Sequence, residues 1–206
     1  MVDDNLAVKG KLIIGLFSLF FVLLIFILMS PFFAPSGSLR NLDGKEKRID
    51  NNEKWEKLDI FPKIFYQFGD LVCHQKESRS LKLNGNLMPV CSRDVGIYIG
   101  FATGFFIVLI IPQNSSFLES CFTILPKKLK ERRIAYINTK NKRWIIGLTV
   151  TGFLLPLALD GCMQLLTSYE STNTIRILTG FFFGAGGSYF LGVLIGSSIV
   201  ETYDEQ

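Results

Sequence analysis

Four stretches of the chain are apolar for long enough to cross a bilayer, and nearly all of the charge lies outside them. Residues 12–33 and 177–200 carry no charged side chain at all. A helix rising about 1.5 Å per residue needs roughly 20 apolar residues to span about 30 Å of hydrocarbon. A second block, 95–111, is at the short end of that range, and a third, 144–166, is broken only by Asp160. Buried helices of soluble proteins are rarely so long and so uniformly apolar. The pattern predicts an all-α membrane protein with four transmembrane helices.

Between the first two blocks the pattern changes twice. Residues 36–52 are polar and charged with no apolar period, which reads as a flexible linker, with order returning near Trp55. From Ile60 to Val72 the apolar residues recur at helical spacing, while Lys63, Gln67 and Asp70 fall mostly between them. That predicts an amphipathic helix lying at the membrane interface within the first extracytoplasmic loop. An Asn84-Gly85 turn signal follows. The expected organisation is an anchor helix at 1–33, a polar linker at 34–59, and a three-span core with a polar site at 60–206. Lys9 and Lys11 before the first block, with Ala34, Pro35 and Ser36 after it, imitate a signal peptide. Its apolar run exceeds the roughly 7–15 residues of a cleaved signal, so an uncleaved anchor is expected.

Small residues recur every fourth position in two spans: Gly96, Gly100 and Gly104, then Gly180, Gly184, Ser188, Gly192 and Gly196. Such spacing lets helix backbones approach closely, where lipid offers no hydrophobic drive for association. The plain expectation is tight helix packing; the sharper one is room for a flat cofactor or a lipid tail. No internal repeat points to an inverted-repeat transporter.

Composition agrees with a membrane class: 49% of residues are hydrophobic and 19 are phenylalanine. The net charge of +4 does not point to nucleic acid, because the charges flank spans. Segment 113–143 holds Lys127, Lys128, Lys130, Arg132, Arg133, Lys140, Lys142 and Arg143 against Glu119 and Glu131. Positive loops stay in the cytoplasm. The longer segment 34–94 mixes both signs and is expected outside, which places both termini in the cytoplasm of a multi-pass cell-membrane protein. The basic run is also suited to anionic lipid head groups.

This topology gathers the scarce chemistry on one side. Asp160, Cys162 and Gln164 fall in the outer half of the third span, Asn173 and Arg176 at the outer end of the fourth, and Cys73, His74, Cys91, Arg93 and Asp94 outside it. A carboxylate within a span costs about 2.5–3.5 kcal/mol on insertion scales. Asp160 is therefore expected either to pair with Arg176 or Arg93, or to serve as a proton relay or ligand site. Cys73 and Cys91 read most simply as a structural disulfide, worth about 3 kcal/mol in a chain-entropy account. The alternatives are a redox pair or a metal site, with zinc held by Cys73, His74, Cys91 and either Asp94 or Cys162. His74 is the single histidine and fits a structural role as well as a ligand's. Cys121 looks unpaired in the inner loop.

The residues Cys73-His74-Gln75, Arg79-Ser80, Met88-Pro89-x-Cys91-x-Arg93, Gly96-x-Tyr98-x-Gly100, Asp160-Gly161-x-x-Gln164 and Arg176-x-x-Thr179-Gly180 form a signature. It resembles a prokaryotic family of multi-pass membrane proteins catalogued as a domain of unknown function. The resemblance covers roughly residues 69–192 and implies a shared polar site at one face of the bundle. It implies no activity.

Three functional readings follow. The first is a site of Cys73, His74, Cys91, Arg93, Asp94, Asp160, Gln164 and Arg176 that binds a metal ion or a polar, anionic head group. A catalytic version would use Asp160 or His74, or a metal-bound water, on a lipid-linked or quinone-like substrate held by Arg93 and Arg176. The second is an accessory or assembly subunit whose glycine stripes pack against a larger membrane complex. The third is a small homo-oligomeric transporter or channel using Asp160. The lipid bilayer is the partner common to all three.

Overall fold

The computed structural model describes residues 2–42, 51–73, 75–113, 116–130 and 137–204. Among these residues eight α-helices follow one another: α1 (Val2–Phe33), α2 (Asn52–Trp55), α3 (Ile60–Val72), α4 (Ser92–Ile110), α5 (Phe117–Cys121), α6 (Lys127–Leu129), α7 (Thr139–Leu166) and α8 (Asn173–Asp204). Four of them contain membrane-length apolar segments: Gly10–Phe33, Ser92–Ile110, Thr139–Leu166 and Asn173–Ser198. The only strands among the described residues are β1 (Lys82–Leu83) and β2 (Asn86–Leu87). The all-α membrane architecture read from hydropathy is the observed one.

The glycine stripes face each other. A β-carbon on Gly100 would lie 2.5 Å from the Phe181 carbonyl oxygen, and one on Gly184 would lie 2.3 Å from that of Ile97. The α4 and α8 backbones are thus in direct contact, as small residues at this spacing permit. The Ser188 hydroxyl donates to Gly184 O of its own helix at 2.8 Å and lies 3.4 Å from Gly100 O across the seam. The stripes are therefore filled by each other within one chain.

The other two spans pack on this pair through aromatic rings. On α1, Phe20 meets Phe101 at 4.6 Å and Phe105 at 5.9 Å between ring centroids. On α7, Phe153 seats on Gly186, where a β-carbon would be 2.4 Å from the ring. Elsewhere α7 is bare: Leu148, Leu155, Leu159 and Leu165 are all exposed, as a lipid-facing helix requires. Its N-terminus is capped by Asn138, whose side chain accepts from Asn141 N at 2.9 Å.

A small cap covers one end of the bundle. Helix α3 has the bounds expected from its periodicity. It exposes Ile60, Ile64, Leu71 and Val72 and buries Tyr66, Gly69 and Asp70. Phe61 and Phe65 touch Phe26 of α1, at 5.5 and 5.6 Å. The preceding segment departs from a flexible linker in its described parts. Ala34, Leu39 and Leu42 are buried against Trp55, Tyr66 and Leu87, and their wide spacing hides them in a polar composition. Asn84 and Gly85 both take positive φ, 52° and 72°, which makes the tight turn that their dipeptide signals. Just beyond it the fully buried Asn86 accepts from Leu39 N at 3.0 Å and donates to Pro31 O at 3.0 Å and Pro35 O at 3.1 Å. One side chain thereby ties the hairpin to the end of α1.

Candidate functional site

Where α3 ends, α4 and α8 begin and α7 ends, a polar cleft of about 420 Å³ opens between cap and bundle. Its walls carry Cys73, Lys76, Arg79, Cys91, Arg93, Asp94, Gly161, Gln164 and Arg176. Each element delivers its share by a local rule. Cys73 is the residue at which α3 stops, in extended backbone with its N–H on Gly69 O at 2.8 Å. Gln75 then turns the chain through a left-handed conformation (φ 48°). That turn is held because its fully buried amide donates to Tyr66 O at 3.1 Å and Pro89 O at 2.8 Å. Cys91 is the N-cap of α4, and Arg93 and Asp94 lie in that helix's first turn. An acidic side chain there is favoured by the helix dipole.

Two groupings share the cleft. The first is sulfur and carboxylate: Cys73, Cys91 and Asp94 each present a ligand atom, all within 4.8 Å of one another. Both cysteines are free thiols. The single proton of the Cys91 thiol faces two acceptors, the Cys73 sulfur and Asp94 Oδ2, the latter at 3.1 Å. The hydrogen bond from Cys91 draws the Cys73 thiol below its ordinary pKa; burial and the Asp94 charge oppose this, while backbone N–H groups of Gln75 and Cys91 assist it. Cys91 moves the other way, raised first by that same hydrogen bond and then by burial. The shared hydrogen bond thus favours the thiolate at Cys73 and the thiol at Cys91.

The second grouping is a chain of charge. Arg93 forms an ion pair with Asp160 across α4 and α7. Gln164, one turn on along α7, donates to Asp160 Oδ2 at 2.8 Å and accepts from Arg176 Nη2 at 2.6 Å. Arg176 is only 2% exposed. Its other printed contact is from Nε to the Ser171 carbonyl at 3.1 Å, and no carboxylate pairs with it among the described residues. Arg93 and Arg79 are near enough to repel it. Arg79 Nε and Arg93 Nε are buried donors without an acceptor among the described residues. The contact of Arg79 with Glu170, at 3.9 Å, is long and exposed and contributes little.

The structure thus brings together Cys73, Cys91, Arg93, Asp94, Asp160, Gln164 and Arg176. His74 lies outside the described residues, as do Arg132 and Arg133 of the basic loop. Cys162 is exposed and takes no part in the cluster, because it sits two residues from Asp160 on a different face of α7. Asn173 is a brace, accepting from the Ser92 hydroxyl at 2.9 Å. Asp160 pairs with Arg93, and reaches Arg176 only through Gln164. Lys76 and Arg79 belong to the cleft although neither was singled out as a site residue; the Arg79-Ser80 pair in the signature was the one available signal.

The family model described as "Predicted membrane protein (DUF2085)" matches residues 73–190, a span that begins at Cys73 and takes in every polar residue of the cleft. An uncharacterized protein of Methanocaldococcus jannaschii is 31% identical over 176 residues, 85% of this chain and 86% of its own length. Another, from Methanothermobacter thermautotrophicus, is 28% identical over 123 residues, 60% of this chain and 86% of its own. No solved structure matches. By the extent of these matches the chain belongs to this family of membrane proteins.

Proposed function

We propose that the cleft binds an anionic head group, phosphate or carboxylate, on the extracytoplasmic side of the cell membrane. The observation that carries this reading is Arg176, a buried guanidinium that faces Arg93 and Arg79 and pairs with no carboxylate among the described residues. Its nearest carboxylate, Asp160, is paired with Arg93 and reaches it only through Gln164, and a buried charge so weakly compensated is costly. Bidentate oxyanions suit the guanidinium fork, and Lys76 adds a fourth cation to the walls. The side of the membrane is supported by Lys127, Lys128, Lys140, Lys142 and Arg143, which flank the start of α7 at the opposite end of that helix from Asp160, since positive loops remain in the cytoplasm. That orientation places both termini inside and segment 34–94 outside.

A second reading concerns the same cleft and is compatible with the first. Cys73, Cys91 and Asp94 are a donor set that would suit zinc, and would leave a fourth position for a further ligand. A zinc held there would supply Lewis acidity for hydrolytic chemistry. The glycines that suggest an accessory subunit, Gly184 and Gly192, are met by α4 residues Ile97, Phe101 and Val108 of the same chain.

Titration of the detergent-solubilised protein with inorganic phosphate and with acetate tests the anion reading, followed by protein thermal shift. Stabilisation that disappears in Arg176→Gln supports it; no stabilisation by either anion rejects it. Metal analysis after purification under reducing conditions tests the second: one zinc per chain, lost in Cys91→Ser, supports it, and metal-free protein with intact thiols removes it.

A further inference from the structure

A second cavity, of about 500 Å³, shares no lining residue with the polar cleft. Its size falls within the roughly 300–1,000 Å³ of small-molecule sites. Helices α4 and α7, which hardly meet, supply two walls, Phe181 and Phe190 of α8 a third, and Cys121 and Leu125 come from the connection that follows α4. The polar side chains among them are engaged elsewhere. Thr103 Oγ1 donates to Ile99 O and Thr149 Oγ1 to Ile145 O, each at 2.8 Å within its own helix. Tyr189 donates its hydroxyl to Cys121 O, also at 2.8 Å. Burial pushes the Cys121 thiol up to about 12, which keeps it neutral. The walls therefore offer an incoming group aromatic and aliphatic surface and no charge.

The depth of this space is that of one leaflet. Helix α4 ends at Ile110. Ile107 and Thr103 lie three and seven residues before that end, about 4.5 and 10 Å at 1.5 Å per residue. The deepest lining residue of α8 is Phe181, whose carbonyl stands against Gly100, ten residues before Ile110 or about 15 Å. On α7 the wall runs from Ile145 to Phe153. It starts just beyond the exposed Trp144, a residue type that belongs at the lipid–water boundary, and reaches nine residues from it, about 14 Å. Half of a hydrocarbon core is about 15 Å, so the space is as deep as one lipid chain.

Two of the wall segments run directly into cations. Leu125 is followed by Pro126, Lys127 and Lys128, and Ile145 is preceded by Lys142, Arg143 and Trp144. Lys142 and Arg143 stand four and three residues before the lining residue Ile146, on the same side of α7. Glu119 is the one carboxylate among the described residues of 116–143, and it pairs with Lys142. Lys128 and Arg143 are exposed. An apolar space one leaflet deep thus ends at a surface where cations outnumber carboxylates.

We infer that this cavity is a lipid site of its own, in which one hydrocarbon chain lies between α4, α7 and α8 and an anionic head group rests on the flanking cations Lys128 and Arg143. A neutral lipid leaves the positive surface unmatched, and a soluble anion leaves the apolar walls unmatched. The site is independent of the polar cleft and of the anion reading given for it. Under the orientation proposed above its leaflet is the cytoplasmic one, and the site stands in either orientation.

Native mass spectrometry of the full chain released from detergent, with dioleoyl phosphatidylglycerol and dioleoyl phosphatidylcholine as probes, tests it. The two lipids carry the same chains and differ in head-group charge. Two cations near a membrane surface add about tenfold or more to the affinity for an anionic head group, and the wild-type chain should prefer phosphatidylglycerol by that margin. Replacing both cations, Lys128→Gln with Arg143→Gln, should abolish the preference. Thr149→Phe, which fills the cavity, should lower the binding of phosphatidylglycerol by a similar factor, whereas Leu148→Phe on the exposed face should preserve it. Ile107→Phe is the alternative filler if Thr149→Phe is unfolded by thermal shift. Equal binding of the two lipids by the wild-type chain, a preference that survives loss of both cations, or binding unchanged in a folded filler overturns the inference. None of these substitutions lines the polar cleft, so each result leaves the anion reading to its own titration.

Discussion

Arg93 and Asp160 pair across two helices that otherwise hardly meet. Asp160 is the one buried residue of α7, so the lone charge of that span is also its deepest anchor. Breaking a buried pair by removing one partner typically costs about 3–5 kcal/mol, because the other charge is left uncompensated. Asp160→Asn and Arg93→Gln should each lower the unfolding temperature in mild detergent, and the double substitution should cost clearly less than their sum. Additive losses would show that the pair contributes nothing as a pair.

The seam between α4 and α8 predicts opposite outcomes at two glycines. Gly184→Leu places a side chain against the Ile97 carbonyl and should reduce the yield of folded protein severely. Gly147 has open space around it, so Gly147→Ala should be tolerated or mildly stabilising, in line with alanine's better helix propensity. Expression and thermal unfolding of both variants check this. A folded Gly184→Leu protein that merely loses a partner would favour the accessory-subunit reading.

Cys73 should alkylate at lower pH than an ordinary thiol. Its folded-state pKa lies below that of the unfolded chain, where a thiol titrates near about 8.5. The hydrogen bonds to its thiolate therefore stabilise the fold fully above that value, and the contribution is lost as pH falls through the folded-state value. Rates with a small haloacetamide should be measured against pH in a Cys121→Ser, Cys162→Ser background. Cys91→Ala, which removes the first cause of the shift, should move the profile upward. An unmoved profile would separate the two sulfurs energetically.

Orientation is checked by single cysteines at exposed Lys82 and Lys128. In intact cells an impermeant maleimide should label position 82 and spare 128. The reverse pattern would put the cleft in the cytoplasm, where thiols stay reduced and the lipid facing Arg176 is that of the inner leaflet.

Much of this architecture is legible without coordinates because its causes are local. Span length, the period of residues 60–72, the Asn84-Gly85 turn and the four-residue glycine spacing each report a property of neighbouring residues. Clustering of Cys73, Cys91, Arg93, Asp160, Gln164 and Arg176 follows from the order of the spans once their number is known. The failures share a different cause. Leu39 and Leu42 look like linker residues because burial there is decided by Trp55, Tyr66 and Leu87, far along the chain. Cys162 and Asp160 are two residues apart, yet one faces outward and the other inward, which only the rotation of α7 decides. Arg79 enters the cleft through a short 3₁₀ turn (Glu77–Arg79) that no periodicity announces.

Gly69 gives the cleft its dimensions from outside it. The carbonyl oxygen of Pro89 stands 1.7 Å from where a β-carbon on Gly69 would sit, so any other residue must drive the end of α3 away from the segment leading to α4. Cys73 rides on the first of these segments and Cys91 on the second. The separation of the two sulfurs, and with it every reaction open to them, is thus governed by a position that has no side chain to react.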